Sequence, residues 1–340
     1  MMVIRCDASV SWGLGHLMRC RALAQAFKKQ GMPVSLVGPS KDFAQAGDED
    51  LFVHWHPMPW NVDALSDANQ LLTLAEAWHA KALVLDDPRV NEAYKLRIRD
   101  AGRPWLQFDG TATKPLWASW VLNALPSANE HAYFKVVCNA DTQLLLGPKY
   151  ALLRPEFMAT SRQTTSKGPL NIFISFGGGD DRGAMAWCLQ ALMPLLGPHL
   201  HLKIMSGASN PRNAFNQLLL DKVCSDWYEY LVQPSAPWNV LAQCHLAVLA
   251  SGTTTHEVNY FQIPMIMVSI VDNQHEPGKA WAAANQAKYL GLWNDVDVHA
   301  LQSIVLLNIQ SLQDELMNIH PLVDGQGASR VASIVLGAVQ

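Results

Sequence analysis

Three times along the 340 residues a short apolar run ends in a glycine-containing turn and passes directly into a segment of helical period. Met2–Cys6 leads through Ser11-Trp12-Gly13-Leu14-Gly15-His16 into Leu17–Gln30, with apolar Leu17, Leu23, Ala24 and Phe27 and a closing Gly31. Asn171–Phe176 leads through Gly177-Gly178-Gly179-Asp180 into Ala184–Leu196, and Leu246–Leu249 through Ser251-Gly252-Thr253-Thr254-Thr255 into a helix beginning near His256. A strand that turns through glycine into a helix and returns as a strand is a βαβ unit, and βαβ units demand a parallel sheet. Further strands are expected at Val34–Val37, Ala82–Leu85, Trp105–Phe108, Leu202–Met205 and Met265–Val268. Helices are expected near Asp67–His79, Asn91–Ala101, Arg212–Leu220 and Trp238–Cys244, and the remainder, Ala328–Ala338 included, reads as mostly helical. Leu144–Tyr150 closes the first half, and the polar stretch Ala159–Gly168 reads as a linker. The expected domains are 1–158 and 169–340, with the last helix able to pack back on the first.

Composition narrows the function classes. A hydrophobic fraction of 49% against 16% charged residues can fill two cores, and a net charge of -4 lacks the basic footprint of a nucleic-acid binder. Six cysteines without a C-x-x-C pair argue against structural zinc, and no metal site or cofactor is expected. The opening MMVIRCDAS carries no basic segment followed by an apolar stretch, and no uncharged apolar run reaches the length of a membrane helix, so a cytoplasmic enzyme is the expectation.

Glycine lets the backbone bend tightly and a ligand approach, while a helix start offers unpaired N–H groups and a positive dipole end that suits phosphate. Any one such βα turn also serves geometry alone. No G-x-x-x-x-G-K-[ST] string occurs, and Met18 stands where the third glycine of a dinucleotide fingerprint belongs, so ATPase and NAD dehydrogenase readings lose support. Candidate phosphate or sugar contacts are Gly13, Gly15, Gly177, Gly178, Ser251, Gly252, Thr253, Thr254 and Thr255, with the amides Asn273 and Gln274 after the next strand.

His16 reads either as a solvated residue in a first helical turn or as a general base, since a helix N-terminus disfavours added positive charge. Asp7 reads equally as a turn cap or as the group that orients His16 or contacts a sugar hydroxyl. Arg19 lies one turn after His16, facing either a ligand or solvent. Glu257 is either a dipole-compatible glutamate or an acceptor for ribose hydroxyls.

The strings Ile4–Ser9, Gly13–Cys20, Gly147–Phe157, Ile174–Asp180, Ser251-Gly252-Thr253 with Glu257, Asp272-Asn273-Gln274 and Asp324–Ala328 resemble the UDP-2,4-diacetamido-2,4,6-trideoxy-β-L-altropyranose hydrolases of pseudaminic acid biosynthesis. The resemblance spans nearly the whole chain. It implies a GT-B-like fold: two Rossmann-like domains with parallel sheets facing a central cleft, related to the lipid II UDP-GlcNAc transferase. It also implies metal-free hydrolysis of a UDP-sugar at the anomeric carbon, with His16 activating water, Glu257 on the ribose and Ser251–Thr255 on the diphosphate. The sequence departs from that pattern at Asp86-Asp87-Pro88, Asp109-Gly110, Leu122-Asn123-Ala124 and at His256, where tryptophan is frequent, and all but the last lie in the expected sugar-side half. The expected function is therefore a UDP-sugar hydrolase with water as acceptor. The alternatives are a glycosyltransferase using a UDP-amino sugar, with Trp55–Trp60 as an apolar acceptor face, and a nucleotide-sugar-binding protein without catalysis.

Overall fold

The computed structural model describes residues 1–9, 13–59, 61–164, 168–313 and 320–339; Ser11, Trp12 and Trp60, and part of the expected linker, lie outside them. Two compact units emerge. The first takes Met1–Ser9, His16–Pro155 and Val323–Gln340, and the second takes Val10–Gly15 and Glu156–Leu322.

The first unit carries seven parallel strands: β1 (Met2–Cys6), β2 (Val34–Gly38), β3 (Trp55–Pro57), β4 (Ala82–Asp86), β5 (Trp105–Phe108), β6 (Trp120–Asn123) and β7 (Gln143–Leu146), in the order β3-β2-β1-β4-β5-β6-β7. The second carries six: β8 (Leu170–Ser175), β9 (Leu200–Ser206), β10 (Tyr228–Val232), β11 (Leu246–Ala250), β12 (Met265–Ser269) and β13 (Ala287–Leu292), in the order β10-β9-β8-β11-β12-β13. In both sheets the chain winds one way from the first strand and then crosses to its other side. The switch falls between β1 and β4 in one sheet and between β8 and β11 in the other. Open parallel sheets bind ligands outside the carboxyl ends of the strands at such a point.

Burial explains many of the strands the sequence displays, although β6, wholly buried, is not among those expected. Every residue of β1, β2, β4, β11 and β12 is buried, as expected of strands covered on both faces, and these are the continuous apolar runs. A separate core fills each unit, with Val3, Leu71, Leu83 and Ile98 in one and Ile172, Ile204, Val248 and Ile266 in the other. Of the four edge strands, β7 still shows as the apolar Leu144–Leu146, whereas β3, β10 and β13 are only partly buried and mix polar with apolar residues, so no apolar run announces them. The region of β13, expected to be helical, is a strand paired in parallel with β12.

The helix Gly15–Lys29 follows the first turn. It buries Leu17, Cys20, Arg21, Leu23, Ala24 and Phe27 along one side and ends on Lys28 and Lys29, cations suited to the negative end of the helix dipole. Its stop is built by Gly31 at φ +79°, whose N–H bonds to the Lys28 carbonyl while the Met32 N–H bonds to that of Phe27. The helix Gly327–Val339 belongs to the first unit, and Gly327 lies so close to the backbone of Tyr150 and Ala151 that a Cβ would stand 2.1 Å from the Ala151 oxygen.

One charge, Arg5 of the central strand β1, is wholly enclosed. The Arg5 guanidinium is gripped from Nε and Nη2 by the two oxygens of Asp67, at 3.0 and 2.7 Å, with Asp87 at 2.9 Å. The Tyr94 hydroxyl donates to the same Asp67. Gly38, at the end of β2, has φ +129°, and a Cβ there would lie 2.0 Å from the Cys6 oxygen and 2.1 Å from Arg5 Nη1. Gly38→Ala is therefore expected to destabilise the chain by about 2–5 kcal/mol through strain and overpacking. Urea unfolding measures it, and a loss below about 1 kcal/mol would contradict this packing.

Candidate functional site

The register of β1 and β4 sets Cys6 opposite Asp86, which places the Asp86 side chain beside the end of the first strand. His16 and Arg19 stand three residues apart on the helix Gly15–Lys29, and side chains at that spacing share a helix face. Both reach Asp86. His16 Nδ1 lies 2.7 Å from Oδ1, and Arg19 Nε donates to Oδ2 at 2.6 Å while its Nη2 donates to Oδ1. The Arg19 guanidinium also lies over the Phe108 ring, 4.7 Å from its centroid, at the end of β5. The Asp86 side chain is 2% exposed, whereas that of His16 is 27% exposed, so the carboxylate is sealed and the imidazole is open.

Burial opposes the charge on Asp86, but the positive charge of Arg19 and the hydrogen bonds from Arg19 and His16 outweigh it and hold the carboxyl well below the usual carboxylate range. A cation so near a helix N-terminus runs against the helix dipole, and the first turn carries no acid to offset it. Asp86 supplies the counter-charge.

Asp7, expected as a possible partner of His16, faces another neighbour. Its Oδ1 accepts from the Ala8 N–H at 2.7 Å and its Oδ2 from Arg89 at 2.8 Å. Burial raises the Asp7 carboxyl against the lowering effect of Arg5 and Arg89. For Asp87, burial is outweighed by the Arg89 hydrogen bond and the charge of Arg5, and its carboxyl is lowered. Asp7 also lines, with Ser40, Pro57, Met58 and neighbouring residues, a cavity of about 410 Å³ outside β1, β2 and β3.

The second unit brings together three segments that lie far apart in sequence. Gly177–Gly179 follows β8, Ser251–Thr255 follows β11 and Asp272–Gln274 follows β12, and these strands are neighbours in the sheet. Gly177 has φ +96°, and the Gly178 oxygen approaches Gly207, after β9, so closely that a Cβ there would lie 2.0 Å away. Ser251 is buried and its hydroxyl donates to the Val268 carbonyl at 3.3 Å, while Thr255 Oγ1 donates to the Gly252 carbonyl at 2.7 Å. Gly252 is exposed; Thr253, Thr254, His256 and Glu257 are half-buried at the start of the helix Thr254–Tyr260. The His256 ring packs edge-on to the buried Trp281, at 5.4 Å. Gln274 Oε1 accepts from the Ile270 N–H at 2.9 Å and so shapes its own loop, while Asn273 is exposed. In the first turn, Gly13 has φ +76° and Gly15 opens its helix.

Among the described residues no three His, Cys, Asp or Glu side chains gather as a metal ion would require, and no helix is long and apolar enough to cross a membrane. Trp55 lies on edge strand β3 with its indole N–H donated to the Pro39 carbonyl; Trp60, the other end of the expected acceptor face, lies outside the described residues.

The sequence alone missed Asp86 as the partner of His16, and Arg89 and Gly207 as supports. The available signal was the acid pair ending β4, which becomes informative only once β4 is known to lie beside β1.

Because the Asp86 carboxyl is lowered in the folded chain, it contributes stability that is present above the ordinary carboxylate value and lost as pH falls through the lowered one. Below about pH 4, wild-type stability should fall more steeply than that of Asp86→Asn. Urea unfolding across that range checks this, and equal slopes would count against the arrangement.

No established family profile matches the chain. It is 23% identical over 343 residues to the spore coat polysaccharide biosynthesis protein SpsG of Bacillus subtilis (strain 168), covering 97% of this chain and 96% of that one. Among solved structures it is similar to S. aureus MnaA in complex with UDP (TM-score 0.70, 12% identity, 99% and 96% of the two chains covered). The glycotransferase of kitacinnamycin matches with TM-score 0.68, 15% identity and 100% and 99% coverage. The UDP-GlcNAc 2-epimerase of Neisseria meningitidis bound to UDP-GlcNAc matches with TM-score 0.61, 12% identity and 99% and 100% coverage. The chain thus has a GT-B-like fold of two Rossmann-like, parallel-sheet domains. The expectation of a hydrolase of pseudaminic acid biosynthesis, releasing free sugar to water, is corrected by these matches, which are to transfer and epimerisation enzymes. The physical reason is that the glycine turns and edge loops carrying the resemblance belong to the architecture of the fold, which hosts several chemistries and does not specify the acceptor.

Proposed function

We propose that this chain is a glycosyltransferase that uses a UDP-linked amino sugar as donor. The observation that carries the reading is the convergence of Gly177–Gly179, Ser251–Thr255 and Asp272–Gln274 on one carboxyl edge at the switch point of the second sheet. There the nucleoside diphosphate is held: backbone N–H groups and the hydroxyls of Thr253 and Thr254 meet the diphosphate, and Glu257 accepts from the ribose hydroxyls. The name of the Bacillus subtilis relative, a polysaccharide biosynthesis protein, and the UDP and UDP-GlcNAc bound in two structural neighbours support this choice of donor.

His16 is the general base. An acceptor hydroxyl attacks the anomeric carbon, its proton passes to His16, and the bond from that carbon to the diphosphate oxygen breaks with its electrons leaving on UDP. Fixed N–H donors offset the charge that develops on the departing diphosphate. The open imidazole suits this role. Asp7 and Gln274 are given supporting parts, as their present partners shape the turns they occupy.

A second reading, epimerisation of a UDP-sugar, draws on the likeness to the UDP-GlcNAc 2-epimerase. The two separate in one assay. UDP-amino sugars are incubated with the chain, with and without saccharide or polyol acceptors, and products are read by mass spectrometry and NMR. Transfer predicts a glycosylated acceptor and UDP release that depends on the acceptor. An epimeric UDP-sugar formed without acceptor would replace this reading with the second. His16→Ala should lower transfer by about 10²-fold or more, the usual worth of a general base, while UDP binding by calorimetry stays unchanged. A near-normal rate in that variant would remove His16 from the chemistry.

A further inference from the structure

His16 has two ring nitrogens, and its hydrogen-bonding contacts to the described residues are made at Nδ1. Nδ1 faces Asp86 Oδ1 at 2.7 Å. An ionised carboxylate only accepts hydrogen bonds, so the proton in this contact sits on Nδ1, and the neutral ring then carries its lone pair on Nε2. Left without such a partner, a neutral histidine ring favours the opposite tautomer, with the proton on Nε2 and no lone pair there.

Arg19 fixes the carboxylate in its turn. Its Nε and Nη2 span both Asp86 oxygens, which sets the plane of the carboxylate and aims Oδ1 at the ring. Nη2 also lies 3.1 Å from His16 Nδ1. Arginine can only donate, so this contact is a hydrogen bond only if Nδ1 carries no proton; a bare Nδ1 would then face the Asp86 oxygen lone pair to lone pair at 2.7 Å, and the shorter contact therefore sets the proton on Nδ1. The guanidinium is itself seated on the Phe108 ring. A lysine would keep the charge but could not hold both oxygens in one plane.

We infer that Asp86 and Arg19 are positioning residues. Asp86 selects the His16 tautomer that leaves Nε2 free to take a proton, and Arg19 holds the carboxylate in the orientation that does so. The catalytic consequence rests on the proposed role of His16, but the tautomer does not.

The test uses the full chain labelled with ¹⁵N-histidine. Long-range ¹H–¹⁵N correlations are recorded where the imidazole is neutral, and the His16 signals are identified by their loss in His16→Gln. The proton is expected on Nδ1 in the wild type and predominantly on Nε2 in Asp86→Ala. In the transfer assay Asp86→Ala should lower kcat by about 10²–10⁴-fold, in the range seen when a catalytic histidine takes the wrong tautomer, with KM for the UDP-sugar little changed. Arg19→Lys should lower kcat less. A wild-type proton on Nε2, or an unchanged tautomer in Asp86→Ala, overturns the inference whatever the turnover. Where Asp86→Ala does not fold, the wild-type tautomer decides alone. The expected tautomers together with no transfer by the wild type would sustain the positioning role and defeat the transferase reading.

Discussion

The parallel pairing of β1 with β4 brings Asp86 level with the end of the first strand, and the local chemistry of the first unit follows from that alignment. Without it the helix Gly15–Lys29 would begin with a histidine and an arginine, and no acid, at the positive end of its dipole. With it, the arginine is half of an ion pair and the histidine ring has a fixed partner. A local rule is broken at the helix start and the break is repaired from a strand about seventy residues away, the pattern expected where a site has been built.

The same edge carries a second ionic assembly with a different character. Arg5, Asp67 and Asp87 are sealed beneath the sheet edge, with Arg89 linking them to Asp7. Removing one member of such a buried set costs roughly 3–5 kcal/mol because the remaining charge is left uncompensated. This assembly fixes the geometry of the strand ends. The His16 group differs in that its imidazole is open while its carboxylate partner is buried. In the second unit the edge loops are shaped by close backbone approach at Gly207 and by side-chain bonds from Ser251, Thr255 and Gln274 back to the main chain. Those bonds hold the loops while leaving Gly252 and Asn273 exposed.

How much of this is legible in the sequence depends on burial. Strands covered on both faces read as apolar runs, and Met2–Cys6, Leu246–Ala250 and Met265–Ser269 stand out for that reason. Three of the four edge strands, Trp55–Pro57, Tyr228–Val232 and Ala287–Leu292, are half-covered and carry no such signature. For the site, His16 and the glycine turns are legible because they follow strands directly. Asp86 is not, since its meaning depends on strand order, and a single sequence does not reveal which strands are neighbours. The hydrolase expectation failed for a related reason: the motifs behind it describe how the fold presents its loops, and one fold hosts several chemistries.

In the proposed reading a nucleoside diphosphate binds at the carboxyl edge of β8, β11 and β12. Hydrogen–deuterium exchange of the full chain with and without UDP tests it most directly. Exchange of backbone amides in Gly177–Gly179 and Ser251–Thr255 is expected to slow on adding UDP, with little change at the opposite edge of that sheet. Protection confined to other segments, or none at saturating UDP, would contradict it.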